Sequence, residues 1–547
     1  MLEQFLDTPS HLTASLEHPS GAPEGAASFH EAPRTEPSNR EGSVGEAEPF
    51  RTPEGALFAT VPVGSHSETF GVRSRSMKGW LRRRHWAATG EPMRPADVAD
   101  AIESLAAHAE FGAVVSPVNL RVARDADALY LDLADGDRQV VKITADGWIV
   151  VADPPVRFRR PAGMSALPVP VRGGSIELLR PFVNVADEDA WTLLVGALVA
   201  ALSPIGPYFV LILEGEQDSA KSTTARIFRL LVDPNTSPLR AEPRDQRDLL
   251  VAATHAWVVA LDNVSQVSDR LSDALCRLST GGGFSTRRLY TDGEEAVLDA
   301  QRPAILTGIT ALANRGDLLD QAIILELPPI REAERRAEAD FWAAFEKVRP
   351  MILGALCDAL AGALGRIDQV IVENLPRMGD PTRWVTAAER ALGWADGSFA
   401  AAYARNRREG LAVTRDESPI SAPLLALADA GPWSGTATEL LARLGGFAPA
   451  SVRADADWPA TPRKLTAELK RLAPALRDAG IDWYRPRRTG TARLHTITRT
   501  GSASTATGPL DRTDSRTATL DGAAGVDDGP SSRGVEPSPA IPGDCRS

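Results

Sequence analysis

Residues 208–229 read YFVLILEGEQDSAKSTTARIFR. A short apolar run ends at Glu214, Gly215 follows, and Lys221 and Ser222 open a helical pattern. A loop between strand and helix aims backbone N–H groups and the positive helix end at phosphate; the lysine reaches the outer phosphates and the serine ligates Mg2+. The stretch therefore points to a nucleotide site, with Gly215, Asp218, Ser219, Ala220, Lys221, Ser222 and Thr223 around the phosphates. The strict pattern has glycine where Ala220 stands. One extra methyl group leaves room for the backbone to approach, provided φ is negative. Taken alone, the letters also fit a fortuitous Ala-Lys-Ser helix start, so the reading depends on its surroundings.

Some forty residues on, Trp257–Leu261 forms a second buried run that ends in Asp262 and Asn263. A carboxylate at the C-terminal edge of such a strand faces the metal of a nucleotide site, the Walker B relation, so Ser222 and Asp262 are the expected Mg2+ ligands. An ordinary strand end has the same letters; the spacing after the loop favours the metal site. Asn263 stands where many ATPases carry a glutamate base, and an amide orients water without accepting its proton. With Tyr208–Leu213, Ala304–Leu306 and Ile323–Leu327, these runs are of the kind buried on both faces of a parallel sheet.

Thr192–Leu213 carries no charge over 22 residues, long enough to cross a bilayer. Pro204, Gly206 and Pro207 fall inside it and would break a spanning helix. The expectation is a buried helix followed by a buried strand, with no membrane segment.

At 547 residues the chain exceeds one compact core. Residues 1–65 and 500–547 are rich in Pro, Gly and Ser, lack apolar periodicity and are expected to be disordered. Residues 66–181 read as a small α+β module: the basic stretch VRSRSMKGWLRRRHW, a helical pattern over Pro95–Ala109, then VNLRVAR, ALYLDLA, QVVKITA and GWIVVAD as strands. The nucleotide core with a helical extension fills 182–415, and a linker falls around Asp416–Pro419. Residues 421–499 read as helices followed by a hairpin, the order of a winged helix.

A net charge of −12 excludes a protein that coats nucleic acid with its whole surface, yet leaves room for local basic faces. Arg463, Lys464, Lys470 and Arg471 share one expected helix; Arg485, Arg487, Arg488 and Arg493 lie on the hairpin. Such a helix beside such a wing fits phosphate contacts to DNA, although basic faces on small domains are often only solvated. The basic stretch Arg73–Arg84 is the weaker case, because Trp80 and Leu81 suit an amphipathic helix stapled to a core. The three cysteines, Cys276, Cys357 and Cys545, have no partner at metal-ligand spacing, and the eight histidines do not cluster. Neither a zinc site nor a disulfide framework is expected, and a reducing, cytoplasmic setting fits. The opening MLEQFLDTPSHL has neither the basic nor the apolar region of a signal peptide.

Between Asp262 and the run at Ala304 lies LSTGGGFSTRRLY, residues 278–290. A helix, a Gly-rich turn, a basic-aromatic hairpin and then a strand resembles the B′ motif of superfamily 3 helicases, whose hairpin projects into a ring's channel and touches DNA. The resemblance implies that role for Arg287, Arg288 and Tyr290; the plainer reading is a solvated Arg-Arg pair on a loop. The same helicases carry Asp or Asn at the position of Asp218. More broadly, GEQDSAKST, WVVALDN, LSDALCRLSTGGGFSTRRLYTD and NRGDL ahead of LPPI resemble phage and mobile-element ATP-binding proteins similar to primase-associated helicases, over about Phe70–Arg499.

The resemblance implies an AAA-like core using ATP and Mg2+, a homo-oligomeric, hexameric ring, and DNA and a primase or other replication protein as partners. Thr307 stands where the group carries a sensor asparagine. Gln321, after Asp320, stands where an arginine finger would reach a neighbouring subunit's γ-phosphate, a contact worth about 10³–10⁵ in rate. Arg315 is the alternative finger. The expected fold is α/β: a P-loop, AAA-like core with a parallel sheet, preceded by a small α+β module and followed by a winged helix. The expected function is an ATP-hydrolysing DNA helicase or remodelling ATPase of mobile-element replication, with Lys221, Asp262, Asn263, Thr307 and Arg315 at the chemistry. The alternative is an ATP-binding, DNA-associated regulator of weakened activity. A small-molecule kinase would leave the hairpin and winged helix without a purpose.

Overall fold

A computed structural model describes residues 46–112, 114–282, 284–287, 295–298, 300–309, 312–313, 315–484 and 493–500. Two compact units meet in sequence between Glu417 and Ser418, inside the expected linker.

The first unit opens with an antiparallel sheet of β1 (Glu48–Arg51), β2 (Leu57–Val63) and β3 (His66–Gly71), followed by α1 (Arg75–Thr89) and α2 (Pro95–Phe111). β1 and β2 lie inside the segment expected to be disordered, which corrects that expectation from residue 48 onward. Ala59 and Val61 alternate inward on β2 and pack on Met77, Trp80 and Leu81 of α1 and on Val98, Ile102 and Leu105 of α2. Trp80 Nε1 also donates to Pro62 O at 2.9 Å. The strands are short and sit among Pro and Gly residues, so their period of two is hard to see in the sequence.

Next come β4 (Val118–Asn119), β5 (Val122–Asp125), β6 (Ala128–Asp132), β7 (Val140–Thr144), β8 (Gly147–Val151) and β9 (Arg157–Phe158). β5 to β8 form an antiparallel meander in chain order, and β4 pairs with β9. The stretch expected to be one module divides among separate cores. Leu129, Leu131, Val141, Ile143 and Trp148 of the meander belong to the main core of the unit, and Trp148 Nε1 donates to Asp358 Oδ1 at 2.8 Å.

The main body continues with α3 (Glu188–Ala201), β10 (Val210–Glu214), α4 (Lys221–Val232), α5 (Gln246–His255), β11 (Val259–Leu261), α6 (Asp269–Thr280), β12 (Phe284–Arg287), β13 (Glu295–Leu298), β14 (Ala304–Thr307), α7 (Gly316–Leu319) and β15 (Ala322–Glu326). The uncharged run around residue 200 is thus a buried helix and a buried strand, as its two halves suggest. Strands β11, β14, β10 and β15 lie side by side in that order, all parallel. Val210 faces Ala304 on one side and Ala322 on the other. Both sheet faces are covered, which is why Val210–Leu213 is apolar without interruption. Parallel strands share a direction, so Glu214, Leu261 and Thr307 end on one edge of the sheet. A lone parallel bridge from Arg240 to Leu261 extends the sheet beyond β11. β12 and β13 pair antiparallel, Phe284 with Leu298 and Arg287 with Glu295.

Three helices finish the unit: α8 (Glu338–Arg366), α9 (Gly379–Ala388) and α10 (Ser398–Asp416). α8 is long and apolar enough to cross a membrane by length and composition, but Phe345, Ile352, Leu353, Leu356 and Leu360 are buried in the main core.

The second unit contains α11 (Ser421–Asp429), β16 (Trp433–Thr436), α12 (Ala437–Phe447), α13 (Ala450–Arg453), α14 (Pro462–Asp478), β17 (Ile481–Tyr484) and β18 (Leu494–Arg499). Its antiparallel sheet runs β16, β18, β17. Thr436 and Glu439 form a reciprocal cap at the start of α12. Leu440, Leu444, Leu465, Leu469, Leu472 and Leu476 pack on Ile481 and Ile497. β16 adds a strand to the two that the sequence shows.

Candidate functional site

The loop from Gly215 to Ala220 converts β10 into α4 at the shared strand edge. Gly215 has φ +145°, and a Cβ there would come within 2.4 Å of Leu327 O, so only glycine fits. Asp218 and Ala220 both adopt φ 62°, and Asn263 nearby has φ 55°. The expectation of a negative φ at Ala220 is therefore overturned. The short connection needs left-handed turns to bring the chain round, and each costs an L-residue about 1–2 kcal/mol. Strain of this kind gathers at functional sites.

Ser219 is fully buried and donates through Oγ to Glu216 O at 2.8 Å. Lys221 Nζ donates to Gly215 O at 2.8 Å, Glu216 O at 2.5 Å and Ser219 Oγ at 3.0 Å, so the ammonium sits inside the curl of the loop. Burial holds Lys221 below the usual lysine range, against the opposing charges of Asp262 and Asp218. Thr223 follows on the first turn of α4.

Asp262 follows β11 directly, beside this turn. Its Oδ1 accepts from Ser222 Oγ at 2.7 Å and from Thr307 Oγ1 at 2.6 Å. Thr307 Oγ1 in turn accepts from Asn263 N at 2.9 Å, and Asp262 N donates to Arg240 O at 2.8 Å. The fold thus gathers Lys221, Ser222, Asp262, Asn263 and Thr307. A hydroxyl and a carboxylate this close offer the hard oxygen ligands that Mg2+ prefers, with further ligands left to phosphate and water.

Gln321 is not at an exposed interface. It is fully buried; its amide, oriented to satisfy its neighbours, donates to Ser279 Oγ and Cys276 O at 3.2 Å each and accepts from Arg377 at 3.0 Å. Register is the reason: Val210 N donates to Gln321 O, which places Gln321 at the start of the strands, on the edge opposite the loop. Arg315 N-caps α7 and pairs with Asp273 and Asp317 at 3.0 Å and with Asp269 at 3.5 Å. Asp320 pairs with Arg407.

Of the expected DNA contacts, Arg287 ends β12. Arg463, Lys464 and Lys470 are exposed on α14, whereas Arg471 pairs with Glu468 at 2.7 Å. Arg493 is exposed just before β18. Arg288, Tyr290, Arg485, Arg487 and Arg488 lie outside the described residues.

Three side chains at the loop escape a reading of the sequence. Asn184 Nδ2 donates to Ser219 O at 3.2 Å and to Pro328 O at 2.5 Å. Arg335 donates to Asp218 Oδ2 at 2.9 Å. Glu214 Oε1 accepts from Leu312 N at 2.6 Å, and burial raises its carboxyl above the usual range. Asn184 sits in an apolar FVNV run that carries no signal, and Arg335 in REAERRAE, which reads as any solvated face.

Residues 176–395 match the family model described as actinomycete integrative conjugative element replication protein. Residues 420–513 match the C-terminal domain of the same replication protein. The two models match separate stretches of the chain, and both carry the description of the same replication protein. No curated protein matches it. Among solved structures, the SCCmec type IV Cch active helicase matches with a TM-score of 0.44 and 11% identity, over 83% of this chain and 92% of that one. The NrS-1 C-terminal region follows with a TM-score of 0.38 and 10% identity, over 83% and 97%. The JCV helicase has a TM-score of 0.22 and 14% identity, over 43% and 64%.

Proposed function

We propose that this chain is a replication protein of a mobile element, a P-loop ATPase that remodels or unwinds DNA during replication of the element. The observation that carries the reading is the pair of donors, Ser222 and Thr307, converging on one oxygen of Asp262 beside the Lys221 loop. Bound Mg-ATP would supply the scissile phosphoanhydride and a metal charge to polarise it. The chain's own residues then divide the work. Lys221 exchanges its loop oxygens for phosphate oxygens. Ser222 and Asp262 would hold the metal, and Thr307 braces the Asp262 carboxylate. Asn263, exposed at the strand end, orients water. Helices and a three-stranded antiparallel sheet in residues 421–499 support a winged helix, with Arg463, Lys464 and Lys470 facing DNA phosphate. Arg287, Arg288, Tyr290, Arg487 and Arg488 are assigned to DNA by motif alone. A cytoplasmic homo-oligomeric ring, with a primase or other replication partner, completes the proposal.

One observation favours a second reading, a nucleotide-binding regulator with slow turnover. Gln321 is buried and Arg315 is held by three carboxylates, so neither is free to act on a neighbour's phosphate.

The test is DNA-stimulated ATP turnover by the full chain, with calorimetric nucleotide binding. Lys221→Ala should abolish binding and turnover while circular dichroism stays unchanged. Equal affinity in variant and parent would remove the site assignment. Binding without turnover would select the regulator.

A further inference from the structure

The segment between β15 and α8 straps across the strand-to-helix loop. Leu327 N donates to Glu214 O at 2.8 Å and Ile330 N to Asp218 O at 3.0 Å. Asn184 ties the same segment to the loop through Ser219 O and Pro328 O. The strap carries Arg335, whose NH2 group donates to Asp218 Oδ2. The two side chains are 53% and 67% exposed, and pairs this open contribute little to stability. Among the described residues, Nε and NH1 of Arg335 have no partner.

A phosphate chain entering the loop meets the Asp218 carboxylate, a like charge that must be neutralised or turned aside. Lys221 is available, because its partners are loop oxygens that phosphate can replace. Arg315 and Gln321 are held elsewhere. Arg335 is a guanidinium that the strap fixes beside the loop, joined to it by one easily exchanged contact. Its planar fork matches two phosphate oxygens at once.

We propose that Arg335 reads the terminal phosphate of a nucleoside triphosphate within its own subunit. In the nucleotide-free chain it is parked on Asp218; with a triphosphate bound it transfers its fork to the terminal phosphate, so that triphosphate is held more tightly than diphosphate. The inference rests on the nucleotide-binding reading above.

The experiment titrates a fluorescent β,γ-imido ATP analogue, and the matching diphosphate, into the full chain with Mg2+. Arg335→Ala should weaken the triphosphate analogue about tenfold and the diphosphate less than about twofold. Arg335→Lys should recover part of the loss, because it keeps the charge without the fork. Asp218→Asn, which releases the arm and removes a like charge, should tighten the triphosphate. Melting without nucleotide shows that each variant is folded. Equal losses for both nucleotides, or none, overturn the proposal. If Lys221→Ala still abolishes binding in that case, the nucleotide site stands and only the arm is lost. If the parent chain binds neither nucleotide, both fail.

Discussion

Thr307 Oγ1 donates to Asp262 Oδ1 at 2.6 Å, the oxygen that also accepts from Ser222 Oγ. The hydroxyl at the end of β14 therefore orients the carboxylate at the end of β11. It also accepts the backbone N–H that follows that carboxylate, so both of its hydrogen-bonding roles are in use. A side chain that stands in sequence at a sensor position is, in the fold, a brace for the carboxylate proposed to hold the metal.

Thr307→Val keeps the shape of the side chain and removes the brace. It leaves Asn263 N–H without its acceptor and Asp262 with one donor fewer, at a cost of about 1.5–3 kcal/mol for a bond to a charged group. Urea unfolding should show that loss, and nucleotide binding should need more Mg2+. Unchanged values in both measurements would mean that the brace is idle.

Ala220→Gly should stabilise the chain by about 1 kcal/mol. Ala220 has φ 62° and ψ 26°, where glycine is unstrained. Thermal melting without nucleotide is the measurement. Ala220→Val should move the midpoint the other way, since a β-branched residue tolerates this region worst. A glycine variant that melts earlier would show that the loop is not under strain.

Asp233 ties the meander to the parallel sheet. Its Oδ1 accepts from Arg121 Nε at 3.2 Å, and its Oδ2 accepts from Arg229 NH2 at 3.3 Å, Trp257 N at 2.9 Å and Val258 N at 3.1 Å. All three charged side chains are no more than 1% exposed. Asp233→Asn leaves two buried guanidinium groups without a countercharge and should cost about 3–5 kcal/mol. Denaturant titration gives the value; a loss below about 1 kcal/mol would show that water or another group compensates.

Gln321→Arg should destabilise the chain and leave ATP turnover unaccelerated. The site is closed, and Arg377 already donates to the amide there, so a second guanidinium, larger than the amide it replaces, would meet a like charge in a buried site. A lower melting midpoint is expected. Faster turnover at unchanged stability would place residue 321 at a subunit contact after all.

Arg463→Ala combined with Lys464→Ala should weaken duplex DNA binding alike across sequences. The slope of log K against log salt should flatten by about one for each phosphate contact removed. An unaltered slope would assign the exposed face of α14 to a partner other than DNA.

The strand-loop-helix reading of residues 208–229, the four apolar strands and the carboxylate after β11 were legible in sequence. Each depends on contiguous residues: burial on both faces leaves an unbroken apolar run, and the turn into α4 occupies six positions. β1 and β2 were less legible, because two short strands among prolines carry too few alternating residues to show a period. Only the tertiary structure decided that Gln321 lies at the far edge of the sheet, since that follows from the register of β15 on β10. It alone decided that Thr307 braces Asp262, which requires β14 and β11 to be neighbours, and that Arg335 reaches Asp218 across 117 residues of chain. Periodicity records which face of a segment is buried. Which distant charges meet depends on strand order and register, and those are set by the packing of the whole sheet.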